Sequence, residues 1–93
     1  MFVGQCEIDL HIENCQSLKE KRRIVKSVKE KLRNRYNVAV CEYGDLSLWQ
    51  RLQLGILTCS NEKAVVQSTL ENILTFLERT HAVCVLDSRI SIE

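Results

Sequence analysis

Within 93 residues the hydrophobic period of this chain switches from two to 3.6 and back, twice, and few folds accommodate that order. Phe2 to Ile12 alternates strictly. Phe2, Gly4, Cys6, Ile8, Leu10 and Ile12 oppose Val3, Gln5, Glu7, Asp9 and His11, as in a strand with one buried and one polar face. After the polar stretch Glu13–Gln16, Ser17-Leu18-Lys19-Glu20 supplies a capping box, with Ser17 as N-cap and Glu20 three residues on. The periodicity predicts a helix to about Tyr36 with an apolar stripe of Leu18, Val25, Val28, Leu32 and Tyr36. Asn37 is the expected stop, since asparagine tolerates the left-handed conformation.

A second strand is predicted over Val38–Tyr43, with Val38 and Val40 on one face and Ala39, Cys41 and Tyr43 on the other. Gly44-Asp45-Leu46-Ser47 carries turn chemistry. A third strand follows from about Trp49 to Cys59, where Leu52, Leu54 and Ile56 alternate with Arg51, Gln53 and Gly55. Ser60-Asn61-Glu62 opens a second helix reaching about Arg79, with Val66, Leu70, Ile73, Leu74 and Leu77 as its core stripe. Val83 to Ile92 reads as the last strand, with Cys84, Leu86, Ile90 and Ile92 on one side. Strand, helix, strand, strand, helix, strand is the ferredoxin-like βαββαβ plan. It is an α+β domain in which a four-stranded antiparallel sheet carries two helices on one face. Residues 1–93 suit a single domain, and a chain with no proline and three glycines offers no linker.

No apolar run approaches the ~20 residues needed to span a bilayer, and the N-terminus lacks the basic region of a signal peptide. The five cysteines are Cys6, Cys15, Cys41, Cys59 and Cys84; their odd number and wide spacing favour reduced thiols in a cytoplasmic protein over disulfides or zinc. Four of them fall in predicted strands and are expected to be largely buried. Cys15, in a predicted loop, is the candidate reactive thiol.

The net charge of +1 conceals a polarised chain. Between Ser17 and Tyr36 stand nine Lys or Arg against two Glu, a local balance of +7; the remainder carries four basic and ten acidic side chains, −6. On a helical wheel Lys19, Arg22, Lys26, Lys29 and Arg33 share one flank beside the apolar stripe, spanning roughly 20 Å at 1.5 Å per residue. Such a row can follow a phosphate backbone. The competing reading is a solvated face whose cations pair with acids, but Glu30 cannot neutralise five neighbours.

Other candidates are weaker. Glu7, Asp9 and His11 point to one side of a strand, but adjacent same-face residues lie about 6.5–7 Å apart, so a polar sheet face explains them better than a metal site. RNA recognition by base stacking on the central strands needs aromatics there, whereas Val3, Gln5, Glu7, Asp9, His11, Arg51, Gln53 and Gly55 offer none. Trp49 is expected as a core or dimer contact ahead of a stacking platform. Cys59 before the second helix lacks a base, and His81 after that helix is expected to cap it. No phosphate-loop, dinucleotide, zinc-protease or nucleophile-elbow pattern occurs.

Ser17-Leu18-Lys19-Glu20-Lys21-Arg22, together with Leu48-Trp49-Gln50-Arg51 and the following Leu54-Gly55, resembles the YlxP-like family, small bacterial proteins of unassigned function. The resemblance covers essentially the whole chain. It implies a ferredoxin-like fold, a bacterial cytoplasm and a dimer, in a family whose genes often neighbour translation and ribosome-maturation genes. The chain departs from the family at Glu13-Asn14-Cys15-Gln16, where Pro and Gly are frequent, and at Leu52, which replaces a commonly small residue. The family supplies no catalytic residues. The expectation is therefore a non-enzymatic module without cofactor or metal that binds structured RNA, such as ribosomal RNA, through Lys19, Arg22, Lys26, Lys29 and Arg33, with Arg51 adding a contact from the sheet. The alternatives are an assembly module that forms homodimers and docks an acidic partner, and a small-ligand regulatory domain.

Overall fold

The computed structural model describes residues 1–93. Its elements are β1 (Phe2–Ile12), α1 (Leu18–Arg35), β2 (Ala39–Tyr43), β3 (Arg51–Ser60), α2 (Lys63–Glu78) and β4 (Val83–Ile92). The strands pair antiparallel in the order β2-β3-β1-β4. That is the ferredoxin-like arrangement.

Alternation decides which side chains face the helices. Cys6 opposes Ile56, Ile8 opposes Leu54 and Leu10 opposes Leu52, and all six are buried. They join Val25, Val28 and Leu32 of α1 and Val66, Leu70, Ile73 and Leu77 of α2 in one core, so both helices cover the same sheet face. Each fully buried aliphatic side chain contributes about 1.5–3 kcal/mol, which makes this layer the main source of stability. At Gly4 the close fit of α2 on β1 leaves no room for a side chain, because a Cβ would overlap Val66 and Leu70. Tyr36 packs edge-on against Phe76, and the Arg35 guanidinium sits 4.6 Å over the same ring, joining α1 to α2.

The structure departs from the sequence reading at four places. First, α1 ends at Arg35 as its periodicity predicts, but the stop is made differently: Tyr36 is extended (φ −133, ψ 149), leading directly toward β2. Asn37 makes no left-handed stop; the non-glycine residues with positive φ are Asn14 and Ala82. Second, β4 contains a bulge, since Asp9 pairs with Asp87 but Leu10 pairs with Val85. The extra residue, Leu86, reverses the inward set, because one added residue flips the two-residue period. Val83 and Val85 therefore turn inward on one side of the bulge and Ile90 and Ile92 on the other, while Cys84 and Leu86 are exposed. Third, β3 begins at Arg51, and Trp49 lies outside it, 50% exposed rather than in the core.

Fourth, the thiols distribute otherwise than expected. Cys15 is buried and donates through Sγ to the Ser17 carbonyl oxygen at 3.3 Å. Cys41, Cys59 and Cys84 are exposed, because their strand positions face away from the helices. Burial, with the Glu7 charge adding to it, pushes the Cys6 thiol up to about 11. Iodoacetamide at pH 8 is therefore expected to add three groups to the native protein and five once it is unfolded, as read by intact mass. Labelling of Cys6 or Cys15 in the native state at the rate of the exposed three would contradict this packing.

Candidate nucleic-acid interface

The basic helix begins where its capping residues demand. Ser17 Oγ accepts a hydrogen bond from the Glu20 amide at 3.1 Å, and Glu20 Oε2 accepts one from the Gln16 amide at 2.7 Å. This is close to a reciprocal capping box, and it commits the Glu20 carboxylate to the backbone. Along the helix Lys19, Arg22, Lys26 and Arg33 are exposed and Lys29 is half-buried. The two side-chain ion pairs within 4 Å are Lys21–Glu42 and Arg51–Asp9, so none of the five row cations meets a carboxylate at that distance. Arg33 donates through Nη2 to the Val40 carbonyl oxygen at 3.1 Å, which anchors the far end of the row to β2.

Beside the row runs a cleft of about 430 Å³ between α1, β2 and the β2–β3 loop. Arg22, Lys26, Lys29 and Arg33 line it, together with Glu30, Glu42 and Leu46. Its inner wall contains Lys21, only 2% exposed, at the point where the apolar stripe passes from Leu18 to Val25. Lys21 Nζ pairs with Glu42 Oε2 at 3.1 Å and donates to the Leu46 carbonyl oxygen, also at 3.1 Å. A buried ammonium is tolerated when it is both paired and hydrogen-bonded, and these two contacts supply that requirement. They also fasten the β2–β3 loop to the first turns of the basic helix. Glu42 is thereby occupied by Lys21 and is not left to neutralise the row.

The opposite sheet face has a different character. Arg51 is set there, apart from the row, with Nη2 donating to Asp9 Oδ2 at 2.6 Å. Asp9 stands across the ladder from Asp87, and Glu7 stands across from Arg89. Asp9 Oδ1 is buried without a partner, so Arg51 is the group that balances this carboxylate. Glu7, Asp9 and His11 share this face as their alternation requires, but they do not converge into a three-ligand cluster. Tyr43 adds an aromatic ring near Gly55 on the same face, from an edge strand rather than a central one. Burial and the nearby Glu7 and Asp9 charges hold its hydroxyl above the ordinary tyrosine range. Cys59 lies on β3 on this face as well, whereas α2 takes Glu62 as its N-cap, so the thiol is not seated at the helix start.

A family model described as "Protein of unknown function (DUF503)" matches residues 3–90, from β1 into β4. The chain belongs to the DUF503 family. It is also 32% identical over 77 residues to "Uncharacterized protein YlxP" of Bacillus subtilis (strain 168), an alignment that covers 83% of this chain and 84% of that relative. The DUF503 match therefore takes in the whole basic row, the cleft beside it and the loop that closes it. No helix in this DUF503 chain is long and apolar enough to cross a membrane.

Sequence reasoning passed over Lys21, Glu42 and Leu46, which shape the cleft. One signal was available. Lys21 follows Leu18 by three and precedes Val25 by four, so helical spacing puts it in the middle of the apolar stripe. A cation at such a position needs a buried counter-charge. Which acid supplies it depends on how β2 packs against α1, and local spacing does not contain that.

Proposed function

We propose that this DUF503 chain is a non-enzymatic module that binds structured RNA, such as a duplex segment of ribosomal RNA, through Lys19, Arg22, Lys26, Lys29 and Arg33. The single observation that carries the reading is a row of five cations, none within 4 Å of a carboxylate, along one side of α1. Of the carboxylates near the row, Glu20 is engaged in the cap and Glu42 with Lys21, which leaves Glu30 as one acid among the cations that line the cleft, too few to neutralise them. Contact through phosphates and 2′-hydroxyls, read by shape and charge, suits a helix whose cation side carries no aromatic residue. Arg51 faces away and is left out of the contact set.

The test is salt dependence. With about four phosphates engaged, log affinity for an RNA duplex should fall against log salt with a slope near −3 to −4, taking the duplex DNA coefficient. Anisotropy of a labelled duplex between 50 and 300 mM potassium chloride reads that slope, and a flat response would remove the proposal.

A second reading concerns the open face, where Leu57 is 47% exposed beside a shallow depression of about 450 Å³ formed with Ala39, Cys41, Tyr43 and Gly55. An apolar depression on a sheet face that neither helix covers supports self-association, back to back, with the two basic rows directed outward. The expected result is a dimer in sedimentation at micromolar concentration that becomes a monomer in Leu57→Lys. A monomeric wild type would dispose of it.

A further inference from the structure

We propose that Trp49 is a stacking platform for an unpaired base, so that the RNA class recognised is a duplex with a single-stranded nucleotide at its edge. This rests on the RNA reading above and extends it from backbone contact to base contact.

The β2–β3 loop exposes three large apolar residues in four positions: Leu46 at 52%, Leu48 at 47% and Trp49 at 50%. Helix–sheet packing accounts for none of them. The loop is nevertheless ordered by specific bonds. Asp45 Oδ1 accepts from the Ser47 amide at 3.0 Å and from Ser47 Oγ at 2.6 Å, and these bonds hold the Asp45 carboxyl below its usual range. At one end the Leu46 carbonyl receives Lys21 Nζ; at the other, Gln50 Nε2 donates to the Cys15 carbonyl oxygen at 3.4 Å. Both anchors lie within or just before the first turns of α1, where Lys19 and Arg22 begin the cation row. The one tryptophan of the chain thereby sits in a loop that is tied on both sides to the start of α1, the end at which the row begins.

A half-exposed indole in a loop fastened to the start of a cation row matches the chemistry of a nucleotide that leaves a duplex, whose base needs an aromatic face while its phosphate stays with the cations. A bilayer surface would also accept tryptophan and leucine next to lysine and arginine. Four of the five row cations, Arg22, Lys26, Lys29 and Arg33, however, line a recessed cleft walled by β2, and a plane of headgroups reaches such a recess less well than a narrow phosphate backbone does.

Because Trp49 is the sole tryptophan, its fluorescence reports the contact directly. Two fluorescein-labelled hairpins of identical stem, one blunt and one with a two-adenosine 3′ overhang, are titrated into the full chain, and anisotropy is followed alongside tryptophan emission. The overhang should quench Trp49 and tighten binding roughly 5- to 100-fold relative to the blunt stem. Trp49→Ala should remove that advantage while keeping the blunt-stem affinity and its salt slope, and Trp49→Phe should retain part of it. Equal wild-type affinity for the two hairpins, both salt-dependent, overturns the stacking inference and leaves the basic-row reading standing. Failure to bind either hairpin overturns both. A blue shift of Trp49 with phosphatidylserine vesicles, or with rising protein concentration alone, and no response to the overhang, assigns the loop to a membrane or to a second copy and equally overturns base stacking. The comparison of hairpins on the unmodified chain stands even if Trp49→Ala misfolds.

Discussion

Glu42→Leu is expected to lower the stability of the fold by about 3 kcal/mol or more, an effect as large as a core truncation. The substitution places an apolar side chain at an edge-strand position only 17% exposed, so by burial alone it would be treated as harmless. The cost arises from its partner. Lys21 is 2% exposed, and without the Glu42 carboxylate at 3.1 Å its ammonium keeps one protein acceptor, the Leu46 carbonyl oxygen. An unpaired buried charge loses its hydration with little in return. Urea unfolding followed by circular dichroism measures the change as a lower midpoint with the slope preserved. Lys21→Met combined with Glu42→Leu should recover most of the loss, since replacing a buried pair by apolar groups of similar volume is often close to neutral. A single variant as stable as the parent would mean that water reaches Lys21 in solution.

Arg22→Glu with Lys26→Glu should weaken binding to duplex RNA on the order of 100-fold at low salt and by nearly the same factor for unrelated sequences. Both residues are exposed, line the cleft and have no carboxylate within 4 Å, so reversing them changes the field along the row without removing a structural bond. Thermal unfolding should consequently move little. Arg51→Ala is the control: its guanidinium lies on the other sheet face with Asp9, and its loss should leave RNA affinity within about twofold although it removes the group that balances the partly buried Asp9 carboxylate. Undiminished affinity in the double reversal would exclude α1 as the contact surface whatever the salt dependence.

The relation between these residues explains what was readable in advance. The row Lys19, Arg22, Lys26, Lys29 and Arg33 is a consequence of helical spacing, and a helix needs only local periodicity and a cap to be recognised. Whether those charges stand free is a tertiary question. Glu42 lies 21 residues beyond Lys21 in sequence and reaches it only because α1 packs beside β2. Arg51 shows the converse: its charge suggested a sixth contact, but its odd position in β3 turns it away from the helices and onto Asp9. Likewise the strand Val83–Ile92 was legible, while its inward set was not. A single bulge at Leu86 reverses the parity, and bulges answer to the register with β1 rather than to composition.

Periodicity within the chain alone determined the six elements, their order and so the ferredoxin-like plan, because each element is selected by interactions among residues a few positions apart. The tertiary structure decided which charges are spent and which remain free, which thiols meet solvent, and where Trp49 is displayed. Those properties depend on groups brought together from distant segments, and the free energy of a buried charge or an exposed ring is set by what packs against it rather than by its neighbours in sequence.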